Sequence, residues 1–414
     1  MRLASCFLAA TLWLVGVATF AAERVENAAL YLVSENDGKQ TLVYDGFRTA
    51  PIADDVVVSD ATGTEIDSLA KLADALGKEP DWDALKLGDV VGTGAEDALV
   101  ATVETRDGAV SAISVTERKS RPLVGVSIVV RDGYSAGQRT IVETLLRCGV
   151  NVYLIPKIAK EEECDEYLPR LDGFVMPGGT NANPRLFGEV PYPHGSAKID
   201  DVRDVNDVLV TRWLIAHNVP GLWICRGNQF LNVALGGGLI QDVPTYLGTL
   251  VLKGEIPYKE AEPIPDEGAP GLTANDPITR CMPAHYRVKA YGIAHVGTRH
   301  PIGSAEEPGI SENSVFLLPI VGRRWIPSVM TSHHLAADPK RIGEGLTVVA
   351  HSPDGIIEAL EYQANDFALG VQFHPDADVK SADPELAKFG YSFFNALVDH
   401  SRARKAANDQ KNKR

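Results

Sequence analysis

The feature that most constrains the fold is an alternation of short apolar segments with helical segments after residue 122. The apolar segments are residues 123–130, 152–155, 173–176 and 221–224, and the helical segments are residues 137–148, 205–217 and 228–235. Strands that are apolar on both faces belong to parallel sheets that helices cover on both sides. We therefore predict an α/β fold with a mostly parallel sheet sandwiched by helices.

Residues 1–22 have the order of a secretory signal peptide. Arg2 is followed by an apolar run as far as Phe20 and then by small residues that end at Ala22. A retained membrane anchor is the alternative, because the apolar run is almost long enough to cross a bilayer. The small residues favour cleavage near Ala21 or Ala22. We expect an exported protein, periplasmic or secreted, with no stable membrane insertion after cleavage.

Residues 23–118 differ from the rest and predict a small α+β or mostly β module. Short strands are expected at residues 28–33, 41–44, 56–58, 99–103 and 109–115, with one helix at 66–76. The module contains neither histidine nor cysteine, so we do not expect chemistry there, and its function is not readable.

A polar linker at 117–122 leads to the main domain at 122–400, and a polar tail at 401–414 is expected to be disordered.

The charge of the chain restricts its partners. A formal net charge of -15 argues against a nucleic-acid partner, because binding phosphates requires a basic face.

The mature chain would retain four cysteines, which are too few for a disulfide framework: Cys148, Cys164, Cys225 and Cys281. Pairing of Cys148 with Cys164 stays open.

Cys225 is the candidate nucleophile. It directly follows the apolar strand at 221–224, and a helix begins at the next residue. Functional residues of parallel sheets follow the carboxyl ends of strands, and a sharp strand-to-helix turn exposes a nucleophile. The amides at a helix start favour a thiolate. A buried structural cysteine is the alternative, and it is the more common fate of a single cysteine.

Two further strand ends complete the candidate site. Gly178 and Gly179 follow the strand at 173–176, where their amides can form an oxyanion hole with the amide of Arg226. His374 follows the last strand of the domain, and Asp376 is placed to orient its imidazole. Alone, each segment is also compatible with an ordinary turn or a structural histidine.

As an ordered set, these segments resemble the γ-glutamyl-γ-aminobutyrate hydrolase family. The family is a branch of the class I glutamine amidotransferases, with a flavodoxin-like fold, and the resemblance covers about residues 122–400. It is carried by residues 176–179, 224–237, 332–334, 352–359 and 370–375. The acidic helix start at residues 200–204 is also similar to that of the family.

The resemblance implies a cysteine hydrolase without a cofactor. Cys225 would attack the δ-carbonyl of a small γ-glutamyl compound, and His374 would transfer the proton. The glutamyl part would be contacted by Gln229, Ser332, His333 and His334. His333 and His334 also suggest a metal, but no third ligand stands at a recognisable spacing, so no metal site is predicted.

Three departures from the family pattern bear on activity. Asp376 stands where the family has glutamate, with Asp378 and Glu358 as weaker substitutes. Trp223 stands where the family has a small glycine, two residues before the nucleophile. Residues 243–329 are long for this connection and include His285, His295 and His300. A lid or a partner surface is expected of such an insertion.

Two alternatives to hydrolysis remain open at this point. An inactive relative would bind a γ-glutamyl compound or a protein, with the N-terminal module as adaptor. An amidotransferase subunit would pass ammonia to a synthase, although the chain carries no recognisable synthase segment. A homodimer is also left open.

Overall fold

The computed structural model describes residues 22–36, 39–63, 66–127, 136–192, 199–255 and 295–413. All but the last residue of the proposed signal peptide lie outside this part of the chain, as do Cys281 and His285. Within the described ranges, no helix has both the length and the apolar character that crossing a membrane requires.

The N-terminal part is a closed five-stranded barrel, which agrees with the mostly β alternative. Its strands pair in the order β1-β2-β3-β6-β5. The elements of this part are β1 (Glu23–Asn36), β2 (Lys39–Tyr44), β3 (Arg48–Asp60), α1 (Leu69–Leu76), β4 (Val90–Val91), β5 (Asp97–Arg106) and β6 (Ala109–Ser120). Alternate residues such as Leu42, Leu99 and Val103 fill the interior together with Leu72 and Leu76 of α1. Closure leaves the barrel without open strand edges.

An eight-stranded sheet forms the centre of the second part of the described chain. Its first elements are β7 (Leu123–Val126), α2 (Ala136–Arg147), β8 (Asn151–Leu154), α3 (Glu161–Tyr167), β9 (Gly173–Met176), a 3-10 helix (Pro184–Phe187), α4 (Asp201–Ala216), β10 (Gly221–Ile224) and α5 (Arg226–Ala234). Strands β7 to β10 and helices α2, α4 and α5 correspond to predicted elements, whereas α3 and the 3-10 helix were not predicted. Residues 128–130 of the first predicted strand lie outside the described residues.

The remaining elements complete the sheet and surround the site. They are β11 (Leu239–Ile240), α6 (Val243–Leu252), β12 (Thr298–Ile302), α7 (Leu317–Val321), β13 (Ile326–Thr331), β14 (Ala336–Ala337), β15 (Thr347–His351), β16 (Ile357–Glu361), β17 (Ala368–Val371), α8 (Pro375–Asp378) and α9 (Pro384–Asn412). The sheet order is β15-β16-β17-β10-β9-β7-β8-β4, and the five strands from β17 to β8 run parallel. This arrangement confirms the predicted α/β fold.

The two faces of the sheet are buried in separate cores. Residues such as Val124 and Ile224 pack with α2 and α9 on one face. On the other face, Phe174 and Trp223 pack with α3, α4 and α5. The carboxyl ends of the parallel strands meet at one edge of the sheet.

The predicted linker at 117–122 is wrong. Strand β6 continues through these residues to Ser120, and it pairs with β5 as far as Asp97. Strand β4 also pairs with β8, so the N-terminal part contributes an edge strand to the main sheet. The boundary predicted from polarity is therefore a continuous strand, which the backbone pairing with β5 determines although none of residues 116–120 is buried.

The prediction of a disordered tail at 401–414 is also wrong, since α9 extends to Asn412. Ser401 is fully buried, and the Arg404 guanidinium donates hydrogen bonds to the carbonyls of Leu171, His217 and Asn218. Lysine, arginine and alanine are favourable in helices. A polar segment therefore stays helical once its first turn is anchored to the domain.

Candidate active site

Cys225 occupies a strained turn between β10 and α5. Its backbone has φ 53° and ψ -104°, which is unfavourable for a residue with a Cβ atom. The Cys225 amide donates to the carbonyl of Val371 in the neighbouring strand β17 at 2.7 Å. A Cβ atom on Gly227 would lie 2.5 Å from the Met176 carbonyl oxygen, so only glycine permits this approach of α5 to β9. The sharp strand-to-helix turn predicted at Cys225 is therefore present.

This strain predicts that Cys225→Gly is more stable than Cys225→Ala. Both variants lack the thiol, but only alanine keeps the Cβ atom that disfavours the turn. Backbone strain of this kind destabilises the alanine variant by about 1–3 kcal/mol. Glycine relieves the strain but loses about 0.5–1 kcal/mol of stability, because it has more conformational freedom in the unfolded chain. We expect a higher denaturant midpoint for the glycine variant. A lower midpoint for the glycine variant than for the alanine variant would show that the turn is not strained.

Trp223 does not disturb this turn. Its side chain is fully buried on the other face of the sheet, where the indole Nε1 donates to the Thr211 hydroxyl of α4 at 3.1 Å. The ring contacts Phe174, with 5.9 Å between ring centroids. A Cβ atom on Gly221 would lie 2.4 Å from the indole, so this glycine provides the space that the tryptophan requires. The local packing differs from the family pattern, while the cysteine position is preserved.

His374 lies beside Cys225, as the strand-end argument predicts. Its Nδ1 lies 3.1 Å from the Asp376 carboxylate, and the imidazole is near enough to the Cys225 side chain for their charges to interact. A Cβ atom on Gly178 would be 2.8 Å from the His374 Cε1 atom and 3.4 Å from the Cys225 Cβ atom. Three strand ends therefore converge at one point. The cysteine is 5% exposed and the histidine side chain 19% exposed, which suits a site that small molecules can reach.

Electrostatics favour a charged imidazole. Burial lowers the pKa of His374, but the negative charges of Cys225 and Asp376 outweigh burial and hold the pKa well above its usual range. The imidazole is therefore favoured in its charged form. The substitute carboxylates are engaged elsewhere: Asp378 binds Arg299 at 2.6 Å, and Glu358 faces three histidines.

Two buried arginines fix the loop that carries Gly178 and Gly179. The Arg203 guanidinium donates to the carbonyls of Pro177 and Gly178, both at 3.0 Å. The Arg226 guanidinium donates to the Thr180 carbonyl at 2.8 Å. Since the C=O and N–H groups of a trans peptide point in opposite directions, the amides of Gly178 and Gly179 turn away from Arg203.

Acidic residues of α4 complete this network. Arg226 binds Asp204 at 2.7 Å and Asp207 at 2.9 Å, and Arg203 lies 3.3 Å from Asp207. All four side chains are buried, so each charge depends on its partners. From the sequence, only the backbone amide of Arg226 was assigned a role, and the network was not identified. The spacing of Arg203 and Asp207, one helical turn apart, was the available signal.

The other residues that were predicted to contact the glutamyl group have different surroundings in the structure. The Ser332 carbonyl lies 3.9 Å from the Cys225 sulfur, and the serine side chain is exposed. Gln229 is 4% exposed, and its amide donates to the Leu335 carbonyl at 3.1 Å. His334 binds the Asn181 side chain at 3.0 Å, and burial lowers its pKa to about 4. His333 points to Glu358, behind the segment that contacts Cys225.

A cysteine on a strained strand-to-helix turn, next to a histidine and a glycine loop in a parallel sheet, defines a class I glutamine amidotransferase-like enzyme. The chain belongs to the peptidase C26 family, whose model matches residues 113–262 and 284–376. Membership supports an amidohydrolase-type function. The match also includes most of residues 243–329, so the expected insertion is limited to residues 263–283, outside the described part of the chain.

Similar proteins have related names. A Mycobacterium tuberculosis protein, named as a candidate glutamine amidotransferase, is 31% identical over 251 residues, which cover 61% of this chain and 62% of that protein. The present chain thus spans less than two thirds of this relative. The γ-glutamyl-γ-aminobutyrate hydrolase of Escherichia coli K12 is 25% identical over 292 residues, covering 69% of this chain and 97% of the hydrolase.

A solved structure also aligns with part of the chain. The crystal structure of a glutamine amidotransferase from Thermotoga maritima has 14% sequence identity and a TM-score of 0.36. The alignment covers 68% of this chain and 98% of that protein.

Proposed function

We propose that this protein hydrolyses γ-glutamyl amides through a glutamyl thioester on Cys225. The observation that carries this proposal is that Cys225 and His374 lie together beside Gly178 at the carboxyl edge of the sheet, with Asp376 placed to orient the imidazole. The name of the related Escherichia coli hydrolase supports the γ-glutamyl substrate class. Trp223, the main argument for an inactive relative, lies away from the nucleophile.

In the first half of the reaction, the Cys225 thiolate attacks the δ-carbonyl carbon. The carbonyl π electrons move to oxygen, and the amides of Gly179 and Arg226 donate hydrogen bonds to the resulting oxyanion. The C–N bond then breaks as the oxyanion returns its electrons. His374 gives its proton to the leaving nitrogen, and a neutral amine departs from the thioester.

In the second half, water attacks the thioester. Neutral His374 accepts the proton of this water, and a second tetrahedral intermediate uses the same oxyanion hole. Breaking the C–S bond releases glutamate and the thiolate, which again pairs with the imidazolium. The fixed loop at residues 177–180 serves both halves, because both intermediates carry negative charge on the same oxygen.

Asp376→Asn tests the role assigned to the carboxylate. The charge of Asp376 contributes to the raised pKa of His374, so its removal lowers that pKa. The alkaline limb of the kcat/KM profile should move to lower pH, and kcat should fall about 10- to 1,000-fold because the imidazole loses its orientation. An unchanged limb would contradict this role.

The same linkage has a consequence for stability. Because the folded-state pKa of His374 is raised, its ion pairs stabilise the fold fully below about pH 6.5. This contribution is lost as pH rises through the folded-state pKa. Asp376→Asn should therefore lose more stability below about pH 6.5 than above the raised pKa, as measured by urea unfolding.

Substrate turnover tests the proposal directly. Purified protein would be offered a chromogenic γ-glutamyl anilide, γ-glutamyl-γ-aminobutyrate and glutamine, with glutamate and ammonia measured separately. Release of glutamate from the substituted amides supports the hydrolase. Ammonia release from glutamine alone would favour an amidotransferase subunit, and the absence of turnover would favour a binding protein.

Iodoacetamide labelling adds an internal control. Burial raises the pKa of Cys148 to about 12 and that of Cys164 to about 11, so these thiols should resist alkylation at neutral pH. Cys225 should be labelled before Cys148 and Cys164, with loss of turnover, and a γ-glutamyl substrate should protect it. Labelling of Cys148 and Cys164 as fast as Cys225 in folded protein would contradict the proposed activation.

We also propose that the chain is exported after cleavage near Ala21 or Ala22 and acts on a small γ-glutamyl compound. The order of the first 22 residues supports export. N-terminal sequencing of protein from the native cell envelope or medium would test it. Intact Met1 on protein recovered from the cytoplasm would contradict it.

A further inference from the structure

A buried cluster lies behind the segment that contacts Cys225. It consists of His295, His300, His333 and Glu358, whose side chains are at most 4% exposed. One atom of each residue faces the others, and these four atoms lie within 4.8 Å of one another. The Glu358 Oε1 atom is 3.3 Å from His295 Nδ1, 3.4 Å from His300 Nε2 and 3.7 Å from His333 Nε2. The chain brings together residues that are up to 63 positions apart (358 minus 295).

In each histidine, the ring nitrogen that points away from the other three ligands is the outer nitrogen. It faces an oxygen atom that can only accept a hydrogen bond. His295 Nε2 lies 2.8 Å from the Asp354 carboxylate. His300 Nδ1 lies 3.0 Å from the Pro301 carbonyl, and His333 Nδ1 lies 2.8 Å from the Leu335 carbonyl. Each of these nitrogens must therefore carry a proton, which leaves the inner nitrogen of a neutral ring with a lone pair.

The inner atoms consequently lack suitable partners. His295 Nδ1, His300 Nε2, His333 Nε2 and both carboxylate oxygens of Glu358 are buried without a hydrogen bond. Lone pairs and a negative charge that face one another in a dry interior are costly. A single proton could bridge only one of these pairs. A cation at the centre would satisfy all four groups together.

We propose that His295, His300, His333 and Glu358 bind one divalent transition-metal ion, for which zinc is the best match. Three imidazoles and one carboxylate suit zinc and its neighbours, and four protein ligands in a closed site are typical of structural zinc. A zinc tetrahedron with bonds of about 2.0–2.2 Å has edges of about 3.3–3.6 Å. The three distances from Glu358 are close to these edges, while the wider spacings must contract when the ion binds.

The second layer of contacts supports this assignment. Histidines that bind metals commonly donate the other ring N–H to a carboxylate or a backbone carbonyl, which orients the ring. All three rings have such a partner, and the Ser352 hydroxyl in turn donates to Asp354. The site was not recognised in the sequence because its four ligands come from separated segments without a short recognisable spacing.

The ion would stabilise one wall of the candidate active site. The His333 amide donates to the His295 carbonyl at 2.7 Å, which joins the two segments that supply ligands. The preceding residue, Ser332, contacts the Cys225 sulfur through its carbonyl. The four ligands are closed off from Cys225, so the proposed role of the ion is to position this segment. The metal proposal stands apart from hydrolase activity, because metal binding is measured without substrate.

Cobalt spectroscopy on the wild-type protein is the first test. Metal-free protein, prepared with a chelator and shown to be folded by circular dichroism, would be titrated with Co²⁺. We expect one equivalent to bind, with the intense visible absorption of tetrahedral Co²⁺ and no thiolate charge-transfer band, and with displacement by Zn²⁺. A thiolate band that disappears in Cys225→Ala would place the ion at the nucleophile and overturn the proposal, as would no binding by folded protein.

Variants then locate the ion. Glu358→Gln should reduce bound zinc, measured by elemental analysis, from about one equivalent to near zero. Asp354→Asn leaves every ligand in place and should weaken zinc binding about 10- to 100-fold. His400→Gln is the matched control, since this half-buried histidine packs against Phe316 and Phe367 and should leave metal content unchanged. Full zinc content in folded Glu358→Gln would overturn the assignment.

Thermal unfolding covers the case in which a variant folds poorly. Zinc should raise the Tm of metal-free wild type and of His400→Gln, because it binds only the folded cluster. The Tm of Asp354→Asn should rise only when a higher concentration of zinc is added. Absence of any zinc effect on folded, metal-free wild type would contradict the proposal without reference to a variant.

Discussion

Replacing Cys225 by alanine is expected to lower kcat/KM for γ-glutamyl amides by about 10⁴- to 10⁶-fold. The thioester route requires a nucleophile at the end of β10, and no side chain can replace the sulfur in that position. The fold should survive, because alanine adds no atom to the turn and retains the hydrogen bond from residue 225 to Val371. Glutamate release and circular dichroism would be measured on the same preparations.

Cys164→Ala is the matched control for this prediction. Cys164 is buried in α3, on the opposite face of the sheet, so its loss should affect stability rather than kcat. Removing a buried sulfur costs about 1–2 kcal/mol, which leaves most of the protein folded at room temperature. Substantial turnover by pure Cys225→Ala would contradict the thioester mechanism and would require a direct attack by water.

Gly178→Ala is expected to reduce kcat by about 100- to 1,000-fold. A Cβ atom at this position would lie 2.8 Å from the His374 Cε1 atom and 3.4 Å from the Cys225 Cβ atom. Either the imidazole or the loop must move, and a shift of about 1 Å in catalytic geometry can cost about 100-fold. The expected loss is in kcat, since the change affects proton transfer and the oxyanion amides in the transition state.

Gly92→Ala provides the comparison for a glycine outside the site. Its added Cβ atom would lie 2.6 Å from the flexible side chain of Asn151, which can move, and kcat should be unchanged. Steady-state kinetics and urea unfolding of both variants would separate a loss of catalysis from a loss of folding. Unchanged kcat in Gly178→Ala would show that the imidazole does not occupy the position assigned to it.

Much of the architecture follows from local sequence patterns. Continuous apolar segments of four residues, each closed by glycine, proline or cysteine, predicted β9 and β10 with the bounds that the structure shows. The same patterns predicted that Gly178, Cys225 and His374 would meet, because parallel strands bring their carboxyl ends to one edge. The roles of these residues in catalysis stay predictions.

Polarity was a poor guide where long-range contacts decide the structure. Residues 117–120 were interpreted as a linker, but their backbone groups pair with β5 in the barrel. The charged residues after Ser401 were interpreted as disordered, but Arg402 and Arg404 bind carbonyl groups at the ends of other elements. Local composition carries no information about such partners.

The sequence by itself determined the order of strands and helices, the strained position of Cys225 and the proximity of His374, because periodicity and strand ends are local properties. Only the tertiary structure decided that Trp223 packs against α4, that Arg203 and Arg226 orient the glycine loop, and that three histidines surround Glu358. Those arrangements depend on which faces of distant segments meet in the buried interior. Their energies come from pairing polar groups that no single segment can satisfy.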